Sequence, residues 1–409
     1  MRILIWHGYL LGGTGSNVYT RALAREWSRL GHDVTVVCQE RHPERYDVGG
    51  ARVVRPELPG GLLPVFVLDE YEGLRPKLLQ DFTDEELDAY VAANAGAVRD
   101  AGPPADLLFT NHVLAGGAVG AAAGMPFAVK AHGSELEYSL RGDDRLIARA
   151  RVALAAADAV YVGSRHIRRV LEDVVGHVER VHEVPPGVDV DEFAPRSREL
   201  ALARLVREAR NDTPGDERHP DPGNAERFEE FFASDEPTVL YFGKLIENKG
   251  VHVLLEALDG IDARAVVVGF GDYRARLEEL APPGTLFTGA LEHRHLVHLL
   301  PLVDVSVVPS IFPEAFGMVA AEAAAAGVPP LVANHSGLAE VAAGIAAEYP
   351  PELAHLTAFE RGDVAGLRDR LRELLALPTE RRRELGAAAR RAVEARWSWT
   401  RVAERLLRA

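Results

Sequence analysis

Ile3-Leu4-Ile5-Trp6, a glycine-rich loop from Gly8 to Gly15, a helical pattern from about Val18 to Leu30, then Gly31 and the apolar run Val34-Thr35-Val36-Val37-Cys38 follow one another at the start of the chain. A short apolar run, a helix closed by glycine and a second apolar run make a β-α-β unit. Joining two strands through a helix forces them to run parallel, so this stretch alone selects an α/β fold. The pattern continues with short strands predicted at 106–110, 127–130, 159–162 and 182–184, with alanine-rich helical stretches between several of them. The N-terminal region, residues 1–195, therefore reads as a doubly wound parallel sheet.

From Arg196 to Pro237 the texture changes. Asn211-Asp212-Thr213-Pro214-Gly215-Asp216 and His219-Pro220-Asp221-Pro222-Gly223-Asn224 have the composition of a linker or insertion. At Thr238-Val239-Leu240-Tyr241-Phe242 the alternation restarts, with strands predicted near 265–268, 286–288, 303–308 and 331–333, giving a second α/β domain over 238–390. The tail from about Asp363 is helical, and most of its Arg/Glu pairs at three- and four-residue spacing read as solvated helix faces.

The 409 residues carry 46 basic and 61 acidic side chains, a formal charge of −15, with 47% hydrophobic and 26% charged residues. Such a chain buries several large cores and repels nucleic acid and anionic lipid unless a local basic patch intervenes. The lone Cys38 lies in an apolar run and reads as a buried strand residue, so no disulfide or cysteine-rich metal site forms. No window approaches the ~18 apolar residues of a membrane span, and the apolar start is too short for a secretory leader. The expected location is cytoplasmic.

Three loops follow strands and open helices, where backbone N–H groups and the helix dipole receive anions. In Gly12-Gly13-Thr14-Gly15-Ser16-Asn17, Val18 stands where a dinucleotide fingerprint needs its third glycine, which leaves a phosphate or sugar contact or a tight turn. Gly243-Lys244-Leu245-Ile246-Glu247-Asn248-Lys249-Gly250 holds two of only four lysines in the chain, a placement that suits a pyrophosphate. Gly269-Phe270-Gly271-Asp272 repeats the geometry. The most specific segment runs from Pro309 to Pro329. Pro313 keeps Glu314 in a loop, a helix is predicted from near Phe316 to Gly327, and Glu314 and Glu322 then read as one loop and one helix carboxylate facing a shared ligand. Two acceptor-only groups fit sugar hydroxyls, and the N–H groups of Phe316, Gly317 and Met318 fit phosphate oxygens. His293-x-His295-x-x-His298 lacks a companion carboxylate cluster and does not read as a metal site.

Glu314-x7-Glu322 with its flanking Pro-Ser, Phe-Gly and Ala-x-Gly-Val-Pro, together with Gly243-Lys244-Leu245, Lys249-Gly250 and Val184-Pro185-Pro186-Gly187-Val188-Asp189 with Phe193, resembles the retaining nucleotide-sugar glycosyltransferases of family 4. The resemblance covers nearly the whole chain and also takes in His132-Gly133 and Trp397-Ser398-Trp399. It implies the GT-B architecture: two Rossmann-like, doubly wound domains facing each other across a cleft, the C-terminal one binding the nucleotide diphosphate and the N-terminal one the acceptor. It further implies that the last helix, within 391–409, crosses back to the N-terminal domain. By the same resemblance Glu314 holds donor-sugar hydroxyls, Glu322 the ribose, Lys244 and Lys249 the diphosphate, and Gly13 approaches the donor phosphate, with Gly271, Phe316, Gly317 and Met318 completing the donor set. His132 stands next to the reacting sugar, so His132 and Glu314 are the candidate catalytic residues. Two departures stand out: Lys244 occupies a position where the family often has arginine, and Ser336-Gly337 replaces a Gly-Gly pair before Glu340.

The expected activity is transfer of a hexosyl group from a nucleotide diphosphate sugar, UDP rather than GDP, to an acceptor hydroxyl, with retention and without a metal or other cofactor. The partners are the donor and a small-molecule or glycan acceptor. The acidic charge favours a soluble acceptor over a membrane lipid and leaves membrane association open. The segment Pro56 to Phe82, with the apolar run Leu62 to Leu68, reads as an apolar acceptor lip or a buried strand. The alternatives are a GT-B epimerase or phosphorylase and a non-catalytic nucleotide-sugar-binding protein.

Overall fold

The computed structural model describes residues 1–69, 71–213, 215–216 and 218–408. The chain divides into two units, one comprising residues 1–187 with the C-terminal helix Trp399–Arg408, the other spanning Val188–Ser398.

The first unit is built on strands β1 (Arg2–Trp6), β2 (Asp33–Val37), β3 (Arg52–Val54), β4 (Leu62–Val65), β5 (Arg75–Leu78), β6 (Leu107–Asn111), β7 (Phe127–Lys130), β8 (Ala159–Val162) and β9 (Val181–Glu183). Seven of them form a parallel sheet in the order β3-β2-β1-β6-β7-β8-β9, and β4 and β5 pair separately, also in parallel. Strand β1 shows why its sequence is apolar throughout. Ile3 and Ile5 point into one core layer, Leu4 and Trp6 into another, because helices cover both faces of a parallel sheet. Cys38, buried just after β2, belongs to the same interior as Ile3 and Ile5.

Helix Gly15–Arg29 lies against this layer through Tyr19, Leu23 and Trp27. The C-terminal helix buries Trp399, Val402, Ala403 and Leu406, spaced as one helical stripe. Trp27 Nε1 donates to Ala403 O at 3.1 Å and Tyr161 Oη to Leu406 O at 3.0 Å. The chain thus returns to the first unit only from Trp399, and the preceding helix Thr379–Arg396 belongs wholly to the second.

The second unit contains β10 (Thr238–Phe242), β11 (Arg264–Val268), β12 (Thr285–Phe287), β13 (Val305–Val308), β14 (Pro330–Ala333) and β15 (Ala358–Phe359), parallel in the order β12-β11-β10-β13-β14-β15. The stretch 196–237, expected as a linker or insertion, is folded into this unit and starts inside it, since the division falls at 187/188. It forms helices Arg198–Arg210 and Asn224–Phe231, whose Ala201, Leu205, Phe228 and Phe231 join the common core. The polar texture survives between them, where Asp212 is gripped by Arg294 and His295, both brought in from helix His293–Leu299. His295 of the histidine triplet is therefore an internal partner of Asp212. Two tail arginines are likewise internal: Arg382 reaches Asp304, and Arg390 donates to Phe193 O and Val190 O.

Among the described residues no helix is long and apolar enough to cross a membrane.

Candidate active site

In an open parallel sheet the crevice for ligands lies beyond the carboxyl ends of the strands, where the strand order reverses. In the second unit that reversal falls between β10 and β13. The loop leaving β10 ends in the turn Glu247–Lys249, and the loop leaving β13 carries Glu314. Backbone bonds stitch them together: Ile311 N and Phe312 N both donate to Asn248 O, at 3.0 and 3.1 Å. Lys249 Nζ then donates to Glu314 Oε1 at 2.5 Å. Both side chains are partly exposed, so a cation for phosphoryl oxygens and an acceptor for hydroxyls sit side by side at the switch point.

Glu314 is fixed from behind. Its N–H donates to Ser336 Oγ at 2.9 Å, and its carbonyl accepts from Gly337 N at 2.9 Å. A Cβ at Gly337 would lie 2.5 Å from Phe316 Cα, so this glycine is required for the loops to meet. Ser336, which replaces the first glycine of the expected pair, takes φ +50 and supplies a hydroxyl that glycine lacks. His335 Nε2 donates to Ser310 O at 2.6 Å and completes the support.

The helix expected from Phe316 begins at Met318 and runs to Ala325. Gly317, at φ +122, takes the N-cap position, and this backbone delays the first helical residue. Phe316 is buried with its ring edge-on to Trp397 at 5.5 Å, so only its backbone is placed to meet a ligand. Glu322 lies on this helix, partly buried, and burial pushes its carboxyl up to about 7, opposed by the nearby His293. Lys244 is exposed, and its carbonyl accepts from Tyr241 Oη. Gly271 packs against the β10 loop, where a Cβ would fall 2.3 Å from Leu245 O.

The first unit has its own switch point, between β1 and β6. Three imidazoles gather there: His7 directly after β1, His112 directly after β6 and His132 after β7. His112 stacks on His7 at 5.8 Å and lies 4.7 Å from His132, centroid to centroid. His7 Nε2 donates to Asn17 Oδ1 at 2.8 Å, and His132 Nε2 to Asn111 Oδ1 at 2.9 Å. Burial holds His7 down at about 4 and keeps His112 and His132 well below the ordinary imidazole range, so all three are uncharged at neutral pH. Lys130 donates to Val184 O at 2.7 Å, and burial lowers its ammonium to about 7. Gly13 sits in the exposed loop after β1, at φ +92.

The structure thus joins Lys249 with Glu314 in one crevice, with Gly317 and Met318 on the adjoining helix start, and places His132 and Gly13 in the other unit. Sequence reasoning missed His7, Asn111, His112 and Glu135. His7 and His112 each follow an apolar strand directly, and that shared position was the available signal. The Leu62 to Leu68 segment combines both expected readings: Leu63 and Val65 are buried in β4, while Val67 and Leu68 are 63% and 61% exposed. Phe66 between them packs on His112 at 4.9 Å.

Two family models match the chain: Glycosyl transferases group 1 over residues 223–392 and Glycosyl transferase 4-like domain over 14–187. Over 291 residues the chain is 28% identical to a GDP-mannose-dependent monoacylated alpha-(1-6)-phosphatidylinositol monomannoside mannosyltransferase from Corynebacterium glutamicum, covering 67% of each. It is 33% identical over 200 residues to a D-inositol 3-phosphate glycosyltransferase from Xylanimonas cellulosilytica, covering 46% of this chain and 43% of that protein. The chain therefore spans from under half to about two thirds of these relatives. Among solved structures, a sucrose-phosphate synthase from Thermosynechococcus elongatus superposes with a TM-score of 0.65 at 21% identity, covering 100% of this chain and 97% of the other. At that identity the likeness speaks for the fold, GT-B.

Proposed function

Because the chain belongs to the family 4 glycosyltransferases and has the GT-B architecture, we propose that it moves a hexosyl group from a nucleotide diphosphate sugar to an acceptor hydroxyl with retention at the anomeric carbon. The observation that carries this reading is the Lys249–Glu314 pair at the β10/β13 switch point. Lys249, the Gly317–Met318 backbone and the helix start behind it receive the diphosphate, and Glu314 accepts hydrogen bonds from the sugar hydroxyls. In the reaction the acceptor oxygen bonds to the anomeric carbon as the bond to phosphate breaks, and the acceptor proton passes to the departing phosphate oxygen on the same face. Stabilising the leaving diphosphate with Lys244, Lys249 and backbone N–H groups supplies the counter-charge without a metal.

His132 of the first unit is the second candidate catalytic residue, a neutral imidazole oriented by Asn111 and of the kind that stabilises positive charge developing on a sugar ring. For the donor, GDP-mannose takes precedence over the UDP-sugar expected at first, because the mannosyltransferase matched over two thirds of this chain is named for it. An acceptor with an apolar portion is the second reading for that substrate, favoured by the exposed Val67 and Leu68 beside Phe66 and the histidines. The test is nucleotide release from GDP-mannose and UDP-sugars upon adding an acceptor library. Release that depends on acceptor separates a transferase from an epimerase or a binding protein, and release driven by inorganic phosphate would mark a phosphorylase.

A further inference from the structure

One buried carboxylate in the first unit takes no part in the chemistry above. Glu135 has no exposed surface, and its oxygens accept from the backbone N–H groups of Val113 at 2.5 Å and Leu114 at 2.9 Å. It lies three residues after His132, in the turn Gly133–Glu135 that leaves β7. Val113 and Leu114 lie on a different loop, the one leaving β6, two and three residues beyond the Asn111 that accepts from His132 Nε2.

The chain reaches Val113 through His112 at φ +73, a region that costs a residue with a Cβ and persists only where neighbours over-determine it. His112 N is itself anchored to Lys130 O at 2.9 Å. The two loops are therefore joined at both ends, imidazole to amide at one and carboxylate to two amides at the other.

We propose that Glu135 is a positioning residue for His132: its carboxylate staples the loop that carries the histidine to the loop that carries Asn111, fixing the imidazole with Nε2 protonated and Nδ1 free. The inference rests on the reading that places His132 at the reacting sugar. A buried carboxylate is a poor source of stability by itself, since removing its charge from water costs much of what its hydrogen bonds return. Here burial pushes its carboxyl up to about 7 despite the amide donors, and the side chain sits at the spot where two loops must keep register. The negative charge also meets the start of helix Ala115–Ala123, where the helix dipole favours it.

The test combines kinetics with NMR of the 15N-histidine-labelled full chain, the His132 signals being assigned by their loss in His132→Ala. In Glu135→Gln the His132 nitrogens move toward the tautomer average, turnover falls at least tenfold and donor affinity stays within twofold. Glu135→Asp keeps the charge and recovers part of the turnover, and it carries the same test should the glutamine variant fail to fold. Unmoved His132 signals in these variants overturn the proposal. Shifted signals in Glu135→Gln alongside full activity in His132→Ala uphold the staple and instead reject His132 as the group at the reacting sugar.

Discussion

Lys249 and Glu314, 65 residues apart, satisfy each other at 2.5 Å across the switch point of the second sheet. Each is the other's counter-charge, and a ligand that takes both must replace that bond with a phosphoryl group on one side and hydroxyls on the other. Lys249→Ala is expected to weaken nucleotide diphosphate binding at least tenfold while the bare nucleoside binds as before, measured by calorimetry. Glu314→Gln keeps the shape and loses the charge, so turnover falls more than tenfold with little change in nucleotide affinity. Equal losses for diphosphate and nucleoside in the lysine variant would remove Lys249 from the phosphate site.

His132→Ala should leave donor affinity within a few-fold and depress turnover strongly, because its interaction matters when charge develops on the sugar ring. Parallel calorimetry of unfolding separates this from a structural role. A variant of lower melting temperature that is fully active per folded molecule would make His132 a packing residue.

The histidine cluster makes the protein sensitive to acid. His7 is held at about 4 against an ordinary 6.5, so between these values the unfolded chain binds a proton that the folded one refuses, and stability falls as pH drops. From pH 7 to 5 this one group contributes a loss of about 2 kcal/mol. Denaturant titrations at the two pH values should show a smaller loss for His7→Asn than for the native sequence, by about that amount. Identical losses would mean that His7 is protonated in the folded state.

Glu322 has the opposite sign. Its carboxyl is raised to about 7, so the folded chain keeps a proton that the unfolded one has released above about 4.5, and stability declines as pH rises through that window. Glu322→Gln should therefore melt higher than the native sequence at pH 8, with the difference vanishing near pH 4. It should also bind ribonucleotide more weakly, approaching the affinity of the native protein for a 2′,3′-dideoxynucleotide. A variant that binds both as the native protein does would take Glu322 away from the ribose.

The central strands were legible because strands covered on both faces must be apolar at every position, as in Ile3-Leu4-Ile5-Trp6 and Thr238-Val239-Leu240-Tyr241-Phe242. The missed strands break that rule: β3 has three residues and β15 two, and β5 reads Arg-Pro-Lys-Leu, while β4, interrupted by Pro64, could be read only as one of two alternatives. The polar stretch 211–224 reads as linker because its partners Arg294 and His295 come from a helix some 80 residues away. The loops after β10 and β13 carry glycines, lysines and prolines in local patterns, so Lys249, Glu314 and Gly317 could be read individually. Their pairing could not, since it depends on β10 and β13 being neighbours. His7 and His112 were passed over for the same reason. They lie 105 residues apart, and only the pairing of β1 with β6 brings them together.

Retaining, metal-independent transfer is the central property to measure. The protein should be incubated with GDP-mannose or a UDP-sugar and an acceptor mixture in excess EDTA, and the anomeric configuration of the new linkage read by NMR. The product should carry the configuration of the donor and form at an undiminished rate under chelation. A product of inverted configuration, or complete loss of transfer that added Mn²⁺ or Mg²⁺ restores, would contradict retaining, metal-independent transfer.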